Sequence, residues 1–169
     1  MPTTVSPVSD SRAPRWIAIS ITAAAGSFIL ALFIAACFAP SIRLLHALQA
    51  LIYIAVIFLT RRNSSWGFGA GCIIAAFWNY IFIRGAAPDI WALLTGRATR
   101  PDVALQLAAT VAHFLLIIAC AAGFMRLKPG AKQWGMFLAG GVVAVTYLLV
   151  LMITLRPEYI PLLKKCFGM

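Results

Sequence analysis

Five long apolar runs alternate with short polar breaks along the chain, and none of the five contains Asp, Glu, Lys or Arg. They are Trp16–Ala39, Leu44–Thr60, Trp66–Ile83, Val103–Met125 and Trp134–Leu155, of 24, 17, 18, 23 and 22 residues. A helix rising about 1.5 Å per residue needs about 20 residues to cross roughly 30 Å of hydrocarbon. All five runs lie near that length. Lipid offers backbone groups no hydrogen-bond partners, so each run is predicted to be a helix. The second and third are short enough that a re-entrant pair is the alternative.

The breaks carry their own signals. Pro40-Ser41 stops the first run and forces a tight hairpin, because proline lacks the N–H that a helix interior needs. Arg61-Arg62-Asn63-Ser64-Ser65 separates the second from the third. Pro101 suits a first helical turn, with Asp102 favourable at its positive end. Lys128-Pro129-Gly130 ends the fourth run. Between Arg84 and Asp102, the segment Pro88–Gly96 opens with Pro and Asp and closes with Gly, which predicts a short interfacial helix over 88–95. Residues 1–15 are rich in Ser, Thr and Pro and read as a flexible tail. Residues 16–155 read as the helical bundle, and 156–169 as an amphipathic tail with a helix over Ile160–Phe167. The fold class expected is an all-α integral membrane protein, a bundle of about five transmembrane helices with a short interfacial helix between the third and fourth.

Composition closes off other classes. Apolar residues make up 63% and charged residues 11% of the 169, against about 25% charged in an average soluble domain. A chain this small cannot hide so much apolar surface in one water-soluble core. Fourteen Lys and Arg against four Asp and Glu give a net charge of +10. These cations are spread through the breaks rather than gathered on one face, so they read as headgroup anchors and not as a nucleic-acid surface. Cys37, Cys72, Cys120 and Cys166 form no C-x-x-C pair, which leaves a disulfide framework, a zinc site and a dithiol relay without support. Ile34-Ala35-Ala36-Cys37 looks like a bacterial lipobox, but the apolar core before it is longer than a signal peptide's, which favours a retained helix. Five spans put the termini on opposite sides, with seven cations on each side. Each odd helix starts with a basic residue followed by Trp. The reading drawn is a multi-pass protein of the bacterial inner membrane with a cytoplasmic N-terminus.

Function in a membrane protein shows in its buried polar residues, because a polar group in hydrocarbon is costly unless satisfied. His46, Gln49, Tyr53 and Thr60 share one stripe of the second helix, and Gln106, Thr110, His113 and Cys120 one stripe of the fourth. The candidate intramembrane cluster is His46, Gln49, Tyr53, Asn79, Gln106, Thr110 and His113. Small residues mark candidate packing faces: Gly67, Gly71 and Ala75 on the third helix, Gly140 and Ala144 on the fifth, and Ser20, Ala24, Ser27 and Ala31 on the first. His46 and His113 differ in depth by about 12 Å of helix rise, which argues against one haem held between them. No intramembrane carboxylate is present for ion coupling, and no acid lies near either histidine for a Ser-His-Asp arrangement. No catalytic residue, metal ligand or cofactor is expected. The leading expectation is a non-catalytic structural or accessory subunit that associates with itself or with a larger membrane complex in the lipid bilayer. The alternatives are a small transporter or channel with an uncharged polar cavity, and a membrane enzyme acting on a lipid or quinone. A cavity around His113, Gln106 and Asn79 favours the alternatives, and a filled core favours the first.

Overall fold

The structure is a computed structural model. It describes residues 13–96 and 101–168, without the side chains of 86–90, 93, 101 and 102. Most of the expected N-terminal tail, and the cations Arg97 and Arg100, lie outside the described residues. Helix α1 spans Arg15–Phe38, α2 Arg43–Arg61, α3 Ser65–Leu94, α4 Pro101–Arg126, α5 Ala131–Leu155 and α6 Ile160–Phe167. Single 3-10 turns at Pro40–Ile42 and Pro157–Tyr159 lead into α2 and α6. No strand occurs among the described residues. Five helices are long and apolar enough to cross a membrane, by length and composition.

One boundary departs from the sequence reading. Residues 88–95 do not form a separate helix: α3 runs unbroken from Ser65 through Pro88 to Leu94, 30 residues in all. A single proline removes one i→i−4 hydrogen bond and bends a helix more readily than it ends it. Ala86 and Ala87 just before it are strong helix formers, and Gly85 alone supplies no stop. The chain leaves the helix only at Thr95-Gly96, where Gly96 takes φ +69°.

Helix α3 is the hub. It packs most extensively on α5 and α4, and also on α2 and α6, while α1 packs on α4 and α2. The start of α1, the α2–α3 corner and the α4–α5 corner therefore meet at one end. There Phe124 lies 4.5 Å from Phe137 and 4.8 Å from Trp134, ring centre to ring centre. Asn63, in the left-handed region at φ 54°, turns its Oδ1 to accept the Ala13 N–H at 2.9 Å and so ties the α2–α3 corner to the entry of α1. Asn tolerates that backbone region better than most residues. At the other end α6 folds back on α3, where the Tyr80 hydroxyl donates to the Cys166 carbonyl at 2.6 Å and Leu162 covers Gly85.

Glycines set the closest helix approaches. A Cβ on Gly69 would run into the backbone carbonyl of Phe137, and one on Gly140 into that of Trp66. At these two positions α3 and α5 touch backbone to backbone, as small residues permit. Gly67 faces Leu59 and Thr60 at the end of α2, whereas Gly71 faces Cys120 of α4 and Val56 of α2. Ala75 and Ala144 are buried. On α1 the buried stripe is Ile17, Ile21, Ala24, Phe28 and Ala31. Ser27 of the small-residue stripe is exposed and Ser20 half-buried.

Candidate functional site

The polar residues of the bundle interior do not form one cluster. Four of them meet. His113 of α4 lies between Tyr53 of α2 and Asn79 of α3: the Tyr53 oxygen is 2.8 Å from Nε2 and the Asn79 Oδ1 is 3.2 Å from Nδ1. The Asn79 Nδ2 donates to the Thr110 carbonyl at 3.5 Å. These contacts fix the proton positions. The Thr110 carbonyl can only accept, so the Asn79 NH2 must face it and Oδ1 must face the ring. Nδ1 then carries the proton and donates to Asn79, and Nε2 accepts from the Tyr53 O–H. The result is a chain of donors running Tyr53 → His113 → Asn79 → Thr110, in which a neutral imidazole has both nitrogens satisfied.

Apolar packing closes the site. The Phe28 ring of α1 lies 4.0 Å from the His113 ring and 4.5 Å from that of Tyr53, centre to centre. His113 is 2% exposed, and Tyr53 is fully buried. The cluster thus joins α2, α3 and α4 through hydrogen bonds and α1 through an aromatic face. Phe28 carries no polar signal, so nothing in a sequence pattern marks it as a member.

The remaining candidates lie elsewhere. His46 is half-buried and makes its contact through Nδ1 with the Leu32 carbonyl, at 2.8 Å. It sits two turns, about 10 Å of rise, from the Tyr53 that holds His113. Gln106 is exposed and enters only through its carbonyl, which accepts the Thr110 hydroxyl at 2.9 Å. Gln49 is 1% exposed, yet neither its oxygen nor its nitrogen has a partner among the described residues. The indole N–H of Trp78 is likewise buried and unpartnered. The contacts of Gly67 with Thr60 and of Gly71 with Val56 set the antiparallel register of α2 and α3, and that register places Gln49 level with Trp78. Sequence reading marked Trp78 only as a neighbour of Asn79 for a stacking pocket, and did not single out Gly69. An aromatic and a glycine among many give no sign of which neighbour they meet.

Among the described residues no group of three or more His, Cys, Asp or Glu is arranged to hold a metal ion. Compared with family models, characterised proteins and solved structures, the chain finds no match in any of the three.

Proposed function

We propose that the chain is a multi-pass membrane protein that acts without catalysis, as a structural or accessory subunit in contact with copies of itself or with a larger membrane complex. The observation that carries this reading is the closed state of the one mid-bundle histidine. A ligand-binding imidazole needs an open nitrogen, and a proton carrier needs hydrogen-bonded neighbours that lead on to water. Both nitrogens of His113 are spent on Tyr53 and Asn79, Phe28 covers the ring, and among the described residues the cleft that reaches Thr110 is lined by apolar side chains and not by His113. The outer surface supports it too. Large apolar residues such as Leu30, Phe33, Leu51, Ile118, Val142 and Val150 are more than half exposed, as a surface facing lipid or a partner helix requires. In this reading Ser65–Gly85 of α3 crosses the bilayer, and the following turns to Leu94 continue beyond it into the interface. A 30-residue helix is about 45 Å long against about 30 Å of hydrocarbon. The orientation in this reading is a cytoplasmic N-terminus.

The second reading, an uncharged polar pathway, is favoured by one observation, the unpartnered amide of Gln49 beside the level of the Trp78 N–H. Isolation of the chain from its native membrane in mild detergent, with the masses of what accompanies it, tests the first reading. A stoichiometric partner or a defined oligomer is expected. The variant His113→Gln is expected to fold and to keep the native assembly, since an amide also offers one donor and one acceptor at similar spacing. His113→Leu strands the Tyr53 hydroxyl and the Asn79 oxygen and is expected to lose about 2–4 kcal/mol. A His113→Gln protein that folds and assembles normally but abolishes the cellular phenotype overturns the non-catalytic reading.

A further inference from the structure

We propose that the end of the bundle where α1 begins holds the phosphate of an anionic phospholipid, in the cleft between the first turns of α1 and the α2–α3 corner. The proposal rests on the reading of α1–α5 as membrane spans. The cleft measures about 180 Å³, with Ile17, Ile21 and Phe68 in its wall and Thr60, Arg61 and Asn63 at its rim.

The rim offers two groups of N–H donors, one of them charged. The Thr60 hydroxyl is committed to its own helix, donating to the Val56 carbonyl at 2.7 Å. The Asn63 oxygen is committed to the Ala13 N–H. The N–H donors left to the cleft are the Asn63 NH2 and the Arg61 guanidinium, whose contact with the Thr22 hydroxyl is a long 3.4 Å. A donor rim on an apolar wall suits an anion, because the low dielectric beside it strengthens the attraction.

The surroundings carry the same sign. Arg15, Arg62, Arg126, Lys128 and Lys132 are all exposed at this end. Among the described residues no carboxylate lies there, whereas at the opposite end Arg156 pairs with Glu158. The exposed indoles Trp16, Trp66 and Trp134 stand in the first turns of α1, α3 and α5 at this end. Indoles in such a belt sit among headgroups, which puts the cleft at the depth of lipid phosphates and makes a phospholipid, rather than free phosphate, its occupant.

The test uses the full chain in dodecyl maltoside micelles doped with phosphatidylglycerol or with phosphatidylcholine, or supplied with millimolar inorganic phosphate. Phosphatidylglycerol is expected to raise the melting temperature and to stay bound in native mass spectra, in preference to phosphatidylcholine at equal mole fraction. The double variant Arg15→Gln/Arg61→Gln is expected to weaken that binding about tenfold. Lys164→Gln/Lys165→Gln, which removes the same charge from the other end, is expected to leave it unchanged. Equal retention of the two lipids by the wild-type chain overturns the proposal, and so does equal weakening by both double variants. Inorganic phosphate that reproduces the full shift overturns the lipid as occupant. A chain washed from native membranes by alkaline carbonate overturns the reading as membrane spans along with it, whereas a carbonate-resistant chain without lipid preference overturns only this site.

Discussion

Two buried polar side chains on α2, one turn apart, have opposite energetics. Tyr53 donates to His113 within a chain of paired groups, so its removal strands an acceptor. Gln49 has no partner among the described residues, so its removal strands nothing within them. An unsatisfied buried amide costs about 1–3 kcal/mol, and leucine has similar volume. Gln49→Leu is therefore expected to raise the melting temperature in detergent, and thermal unfolding checks it. A fall would show that a water or ligand engages the amide and would strengthen the polar-pathway reading.

At the scale of the helix, the nature of the obstacle decides what a glycine is worth. The Cβ of an alanine at Gly69 meets the Phe137 backbone, which cannot move without separating α3 from α5. At Gly71 it meets Cys120 Sγ at 2.7 Å and a Val56 methyl at 2.8 Å, both side-chain ends that can rotate or shift. At Gly26 it meets nothing within 4 Å. Stability is expected to fall most for Gly69→Ala and less for Gly71→Ala. Gly26→Ala is expected to gain up to about 1 kcal/mol from helix propensity alone. Detergent melting of the three single variants gives the order, and equal effects at Gly69 and Gly26 would remove the backbone crossing of α3 and α5.

For the whole molecule, the parity of the spans is the measurable quantity. In the proposed reading five crossings put the two termini in different compartments, and reporter fusions after Arg62, Arg97, Lys132 and Met169 are expected to alternate. Termini found on one side would mean one span too many or too few, since a re-entrant α2–α3 pair removes two crossings and keeps the termini apart. The seven-to-seven tie of cations means that charge barely biases the orientation. The tie also means that the number of cations does not choose between the ends, and the proposed lipid site is set by the cleft beside Arg61 and Asn63.

The five apolar runs were legible in the sequence because a helix long and apolar enough to cross a membrane is an unbroken stretch of one character, a local property that needs no partner. Their helices begin and end within a few residues of the polar breaks, except where α3 runs on past Pro88. There the local stop signal is weak, and the alanines before it favour continuing. Helical spacing also put Tyr53, Asn79, Thr110 and His113 among the buried candidates. It did not separate them from Gln49, Gln106 and His46, because a stripe names a face and not what lies opposite. Which face of α4 meets α2 and α3, and which turn of α3 comes against α5, depends on glycines that let backbones touch and on a phenylalanine that fills the space over His113. Those are contacts between residues far apart in the chain, and only the tertiary structure brings them together.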